Sequence, residues 1–412
     1  MGRFTLTKKS FAYFFFVFLF ISPLSIAETL DSLIRKQVSQ SPNLGIHVKN
    51  ITDGKVIVNY KGNKKFTPAS NQKIVTTISS LHLLGKNYRF KTIFFLAVKK
   101  NQTGEYNQDF FIDTKGDPTL KGIHLRKAVT YLKEMGVKSI NGNIVVNNNY
   151  YEKPYYNRDW KDKWKGLPWA PYVSSIAIDG NYYSSGSTIY LTDNPLYLLG
   201  VKFKKELKRQ KIKFNGTIKI SKIPIMRKLT PFKIKYESSS AQLSTIVGVV
   251  NKKSNNLYAE HLFKKLSANF FRTKGSWINS RKLVKDFLIN KIDLQDESFT
   301  ISDGSGLSSK NKISPAAMVK ILEFASRQNY FDDFYQSLAI GGIDGTLVRR
   351  FKSEPLYDNL RAKTGYIYGV SSLSGYFRGE DDDLYAFSII VNDYNYSIRP
   401  FIDKLLSKIY YF

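Results

Sequence analysis

Pro68-Ala69-Ser70-Asn71-Gln72-Lys73 opens an apolar stretch that runs to about Leu84, with Ile74, Val75, Ile78, Leu81 and Leu84 on one stripe. Proline suits the first turn of a helix, and Gly85 suits its end. The pattern therefore predicts a helix with Ser70 and Lys73 at its start. Three positions apart, their side chains share a face and can meet. A serine hydroxyl attacks a carbonyl poorly until a base takes its proton. A lysine amine can take that proton only when neutral, and burial or a second cation nearby lowers its pKa. The start of a helix also presents unpaired N–H groups and positive dipole, which favour developing negative charge. Ser70 and Lys73 are thus a candidate acylation site, although two polar residues at this spacing more often lie on a solvated face. The other Ser-x-x-Lys, Ser309 to Lys312, runs at once into Ser314-Pro315, which starts a new helix, so nothing places that pair on one face.

The chain has 412 residues, enough for two or three domains, and it is 42% apolar and 15% aromatic, as expected of a globular protein. Its formal charge of +30 implies attraction to polyanions. The lysines are spread along the whole chain, and no zinc-finger spacing, RNA-binding aromatic signature or isolated basic helix stands out. Nucleic acid is therefore not an expected partner; an anionic envelope polymer or membrane surface is the better match for a general positive charge. The absence of cysteine excludes thiol catalysis and cysteine-ligated metal. His47, His82, His124 and His261 show no metal-ligand spacing, so neither a metal nor a cofactor is expected. At the N-terminus, Arg3, Lys8 and Lys9 precede the apolar run Phe11 to Ile21, then Pro23 and the small-residue site Ser25-Ile26-Ala27. Residues 1–27 read as a cleavable export signal, with an uncleaved anchor as the alternative. The run falls short of the roughly 20 residues of a membrane span. The mature chain is expected in the periplasm, held together by packing and not by disulfides.

Leu30 to Val38 reads as a helix. Leu44 to Val48 and Lys55 to Tyr60 read as a hairpin around Asp53-Gly54. From Tyr88 to Glu237 the character changes to short strand-like runs, at 91–98, 109–113, 143–146, 187–191 and 217–220, with helical stretches at 126–135 and 199–210. The aromatic and proline-rich stretch from Trp160 to Tyr172, with Trp164 and Trp169, reads as buried rings under a loop or as a ligand-contacting surface. Asp162 within it is a candidate contact for a cationic group. Helices are expected at 239–250, 256–266, 282–289, 314–326 and 398–409, and strands at 299–301, 360–363, 371–378 and 384–392. The turn Ser302-Asp303-Gly304 reads as structural, bordering the site. The organisation this predicts is α+β: residues 28–85 plus 240–412 share one domain, an antiparallel sheet with helices on both faces, and 86–239 form an inserted α+β module of one or two small domains.

Two further short patterns follow the first in order, Ser254-Asn255-Asn256 and Lys363-Thr364-Gly365. Ser-x-Asn also occurs by chance at four other places, whereas Lys-Thr-Gly occurs once. The trio in this order, each in a fitting local setting, is the combination used by penicillin-binding proteins and class A β-lactamases. With the long gap between Lys73 and Ser254, and with Lys115-Gly-Asp-Pro-Thr-Leu120, Asn141-Gly-Asn-Ile-Val-Val146, Asp303-Gly-Ser-Gly-Leu-Ser308 and Gly341-Gly-Ile-Asp-Gly-Thr-Leu347, the sequence resembles the D-alanyl-D-alanine carboxypeptidase/endopeptidase family, the class C low-molecular-mass penicillin-binding proteins (peptidase family S13). The resemblance spans essentially the whole mature chain.

It implies a penicillin-binding, serine β-lactamase-like fold and a serine peptidase acting on peptidoglycan stem peptides and acylated by β-lactam antibiotics. Ser70 would be the nucleophile. Lys73 is the expected proton acceptor, and Lys363 the second cation that keeps it neutral and binds the substrate carboxylate with Thr364. Gly365 would let the strand approach the substrate. Ser254 would relay a proton to the leaving amine, and the Asn256 amide would hold the substrate's peptide group. The resemblance further implies an oxyanion hole of the Ser70 and Tyr366 backbone N–H groups. Tyr366 departs from the small residue common at that place, which bears on substrate preference more than on activity. A serine β-lactamase and a non-catalytic envelope-binding protein are the alternatives; the long insertion argues against the first and the intact trio against the second.

Overall fold

The computed structural model describes residues 29–412 apart from 42, 97–100, 222–233 and 395–396. The expected export signal lies outside the described residues. Among the described residues, no helix is long and apolar enough to cross a membrane.

The hairpin Leu44–Asn50 and Val56–Tyr60 joins strands from the far end of the chain. The result is a six-stranded sheet in the order Ala339–Ile340, Arg361–Ile367, Val370–Arg378, Leu384–Asn392, Leu44–Asn50, Val56–Tyr60, antiparallel throughout. Alternation along Leu384–Asn392 divides its side chains between two cores. Tyr385, Phe387, Ile389 and Val391 face one, with the helices Leu30–Gln40 and Arg399–Ile409, while Ala386 and Ile390 face the other. That second core is helical, built on Gln72–Leu84, Leu243–Lys252, Asn256–Phe270, Trp277–Asn290 and Pro315–Ser326. Helices thus cover both faces of the sheet, and the fold is α+β.

A second, five-stranded sheet runs in the order Ile218–Ser221, Ile144–Asn147, Phe110–Asp113, Lys91–Leu96, Ile234–Ser239. Its first three strands are parallel neighbours. Parallel strands need long crossovers, here provided by the helices Gly122–Glu134 and Pro195–Arg209, which pack on the sheet through Leu125, Val129, Leu199 and Phe203. The strand Ile234–Ser239 was not read from sequence, because its alternation carries a single buried aliphatic residue, Ile234, with Ser238 at the other buried position, and the segment abuts a helix start. The aromatic stretch after the strand Ile144–Asn147 leaves this sheet. Tyr151, Tyr156, Trp160 and Val173 are buried in the helical core with Trp277.

Candidate active site

Ser70 sits in a 3-10 turn, Ala69–Asn71, directly ahead of the helix Gln72–Leu84, so the regular helix begins two residues later than the apolar stripe predicts. The turn is tied to two strands. Ser372 Oγ donates to Pro68 O at 2.7 Å, and Asn71 Nδ2 donates to Ser374 Oγ at 2.6 Å. Ala69 adopts φ 46°, and Gly306 at φ +85° lies so close that a Cβ there would stand 1.8 Å from Ala69 O. Gly365 is required for a similar reason. A Cβ at that position would meet Ser372 Oγ at 2.1 Å, Pro68 O at 2.6 Å and Ser70 N at 3.1 Å. The bare Cα of Gly365 admits the backbone that carries Ser70.

Lys73, fully buried, donates to Ser70 Oγ at 3.0 Å, to Asn256 Oδ1 at 2.6 Å and to Ser305 O at 2.6 Å. Burial lowers its amine from 10.5 to about 7, and Asp303 and Glu260 act in the opposite sense. Of the two expected causes, burial and a second cation, removal from water is the larger. Lys363 is itself pulled well below the ordinary lysine value, by burial first and by Lys73 second. Two buried ammonium groups in one site disfavour each other, so the pair holds fewer than two protons near neutrality.

Lys363 Nζ donates to Ser254 Oγ at 3.0 Å and to Thr364 O at 2.7 Å; Thr364 Oγ1 donates to Thr346 Oγ1 at 2.8 Å. Ser254, at φ 53°, precedes the helix Asn256–Phe270. Two hydroxyl–amine pairs result, Ser70 with Lys73 and Ser254 with Lys363. Both serines line one hollow of about 350 Å³, together with Thr346, Thr364, Gly365 and Tyr366. The strand Arg361–Ile367 pairs with its outer neighbour only at Arg361 and Ala362. From Lys363 onward that edge is unpaired among the described residues, a geometry that accepts an extended peptide.

Both ends of the Asn256 amide have partners within the chain. Its oxygen accepts from Lys73, and its amide nitrogen donates to Trp169 O at 2.7 Å, so this donor already has a protein carbonyl. Asp162 is paired with Lys165 at 2.7 Å, on a side chain 87% exposed. Lys312, of the second Ser-x-x-Lys, donates to Thr67 Oγ1 at 2.6 Å and not to the Ser309 hydroxyl. Three histidines have plain structural surroundings: His47 beside Asn59, His82 against Phe287 and Phe324, and His124 capping at Lys121 N.

A sequence model of the D-Ala-D-Ala carboxypeptidase 3 (S13) family matches residues 26–190 and 186–408. The chain belongs to this family. It is 24% identical over 88% of its length to the D-alanyl-D-alanine carboxypeptidase DacB of Haemophilus influenzae, of which it covers 88%. Among solved structures it is similar to penicillin binding protein 4 (dacB) of Haemophilus influenzae, with a TM-score of 0.82 and 22% identity over 93% of this chain and 100% of that one. That protein is also known in complex with a β-lactam, with a TM-score of 0.75 and 23% identity over 92% and 99% of the two chains. Bd3459, described as a predatory peptidoglycan endopeptidase from Bdellovibrio bacteriovorus, matches with a TM-score of 0.59 and 18% identity over 89% and 91%.

Several residues of this S13 site have no motif to announce them. The loop at Ser305 is held from beneath by two buried carboxylates. Glu260 Oε1 accepts from Gly304 N and Ser305 N, and its other oxygen accepts from Trp277 Nε1. Asp303 accepts from Gly306 N, Ser308 N, Asn311 Nδ2 and Trp160 Nε1, all within 2.8 Å. Burial raises the Glu260 carboxyl to about 7, with Asp303 adding to the shift. Asp303 lay inside a recognised signature; Glu260 had no sequence signal beyond a charge on an apolar helix.

Proposed function

We propose that this S13 enzyme is an exported serine DD-peptidase that removes terminal D-alanine from peptidoglycan stem peptides, cleaves D-Ala cross-links, or does both. The observation that carries the reading is the buried Lys73 amine, 3.0 Å from Ser70 Oγ and poised near neutrality. A neutral amine there accepts the serine proton as Oγ attacks the carbonyl between two D-alanines. The oxyanion forms against the backbone N–H groups of Ser70 and Tyr366, whose approach the bare Cα of Gly365 permits; such a donor is worth roughly 3–4 kcal/mol. Ser254, bonded to Lys363, passes a proton to the leaving amine. Water then hydrolyses the ester. A β-lactam mimics the scissile amide and leaves a long-lived ester on Ser70.

Asn256, Lys363, Thr364 and Gly365 bind substrate in this reading. Asn256 does so by releasing the Trp169 carbonyl. Residues 28–85 and 240–412 form the catalytic domain and 86–239 the inserted part. Residues 1–27 direct the chain to the periplasm, where its positive charge favours anionic surfaces. Labelling with a fluorescent penicillin tests the core of this: lasting label on the wild type and none on Ser70→Ala is the expected result. Rapid drug turnover would instead indicate a β-lactamase, and no label on either protein would remove the catalytic reading.

A further inference from the structure

The hollow at Ser70 is lined by two arginines, Arg350 and Arg399, and by no acidic side chain. Arg350 is committed elsewhere: its guanidinium pairs with Asp403 and lies over the Phe351 ring, and the side chain is 14% exposed. Arg399, by contrast, is exposed and forms no ion pair among the described residues. Its guanidinium carbon stands 6.0 Å from the centre of the Tyr366 ring. A second hollow, of about 410 Å³, adjoins the first and shares Tyr366 and Arg399 with it; its other walls include Tyr368 and Tyr394, again with no acid. The cleft therefore passes from Ser70 over Tyr366 to an unneutralised cation that substrate can reach.

Any DD-peptidase substrate presents a carboxylate on the carbon next to the scissile nitrogen. Lys363 was expected to read it. Lys363 is fully buried, however, and is occupied with Ser254 Oγ and Thr364 O, while the Thr364 hydroxyl is turned to Thr346. A guanidinium stays charged and presents a fork that matches a carboxylate, whereas the buried Lys363 amine, pulled well below its ordinary value, offers a single weaker donor. We propose that Arg399, at the junction of the two hollows and beside the ring of Tyr366, reads the free carboxylate on the leaving side of the scissile bond. The proposal rests on the peptidase reading above. It gives Tyr366, the residue that replaces a small one after Lys-Thr-Gly, a purpose: its ring supports the guanidinium face.

The test compares a D-Ala-D-Ala-terminated tripeptide with its C-terminal amide on wild type, Arg399→Gln and Arg399→Lys. A charge-assisted hydrogen-bonded pair of this kind is worth about 10- to 100-fold in kcat/KM. Arg399→Gln should lose that factor on the free acid and change less than about twofold on the amide, with Arg399→Lys between. Equal losses on both peptides would make Arg399 merely structural, and no loss on the acid would assign the carboxylate to another group; either result overturns the proposal. Should Arg399→Gln fail to fold, Arg399→Lys gives the same comparison at smaller amplitude. A wild type that takes penicillin label but shows no acid-specific loss in the variants overturns this proposal alone. A wild type that takes no label and cleaves neither peptide overturns the peptidase reading beneath it.

Discussion

Raising the pH from 6 to 8 should speed acylation of Ser70 about tenfold. The amine of Lys73 is lowered to about 7, with burial as the first cause. Such a base is about one-tenth neutral at pH 6 and about nine-tenths neutral at pH 8, whereas an ordinary lysine would be below about 1% neutral at both. Lys363 titrates in the same field, so the observed midpoint belongs to the pair. The assay is the second-order rate constant for fluorescent-penicillin labelling between pH 5.5 and 9 at fixed ionic strength. Stability gives an independent reading of the same proton. The folded-state pKa of Lys73 lies below its unfolded value, so between pH 7 and 10.5 the unfolded chain binds more protons. Stability therefore rises with pH across that window; below it, both states are charged and the full cost of burying the ammonium is carried. From pH 6 to 9 the gain is roughly 3 kcal/mol, most of it above pH 7, at 1.36 kcal/mol per unit of full proton difference. Lys73→Met removes this dependence, so relative to wild type it should be more stable at pH 6 than at pH 9 by about that amount. Losing the donors to Ser305 O and Asn256 Oδ1 costs the variant something at both values, and the difference cancels it. A labelling rate flat from pH 6 to 8.5, or an unchanged stability difference, would refute a neutral Lys73 as the base.

Gly365→Ala should cost about 1–3 kcal/mol in urea unfolding and at least about tenfold in labelling, because the new carbon meets Ser372 Oγ and Pro68 O and forces the strand away from Ser70. Gly54→Ala is its control: at φ +89° with open space around it, it should cost about 1 kcal/mol and leave labelling intact. Asp303→Asn places an amide where four donors converge. It should lose about 2–4 kcal/mol of stability and, by removing a charge that holds the Lys73 pKa up, move the midpoint of the labelling profile below 7. A midpoint that stays or rises would mean the carboxylate does not act on Lys73.

The parts of the fold legible in sequence were those with local signals. Pro68 and Gly85 bracket the Ser70 helix, Asp53-Gly54 turns the first hairpin, and Ser314-Pro315 caps a helix whose Ser314 Oγ accepts from Ala317 N at 3.2 Å. The pairing of Leu44–Asn50 with Leu384–Asn392 was not legible as a register, since it joins opposite ends of the chain and both strands are buried on two faces. At the site, the four side chains of the trio had spacing to reveal them. Ser305 and Trp169 contribute main-chain carbonyls, which any residue could supply, and so leave no trace in side-chain chemistry. Arg350 and Arg399 reach the hollow by folding alone, among 63 lysines and arginines that give no reason to single them out.

The residues between Lys73 and Ser254 are bonded to the loop at Ser305 and to Asn256 through one aromatic stretch. Trp160 Nε1 donates to Asp303, which holds the loop whose Ser305 carbonyl receives Lys73. Trp169 O receives the Asn256 amide, whose oxygen also receives Lys73. The two contacts differ in kind. The first is buried, made to a carboxylate by an indole 4% exposed, and breaking it leaves the indole N–H donor unpaired at a cost of about 1–3 kcal/mol, while Asp303 Oδ2 keeps Ser308 N. The second lies at the exposed rim, where Trp169 is 49% exposed. A substrate carbonyl taking the place of the Trp169 carbonyl exchanges one amide–carbonyl bond for another, so its net cost is small against the 0.5–1.5 kcal/mol of a typical such bond. The stretch is thus anchored at Trp160 and exchangeable at Trp169. In the proposed reaction, substrate displaces the rim without disturbing the loop that receives Lys73.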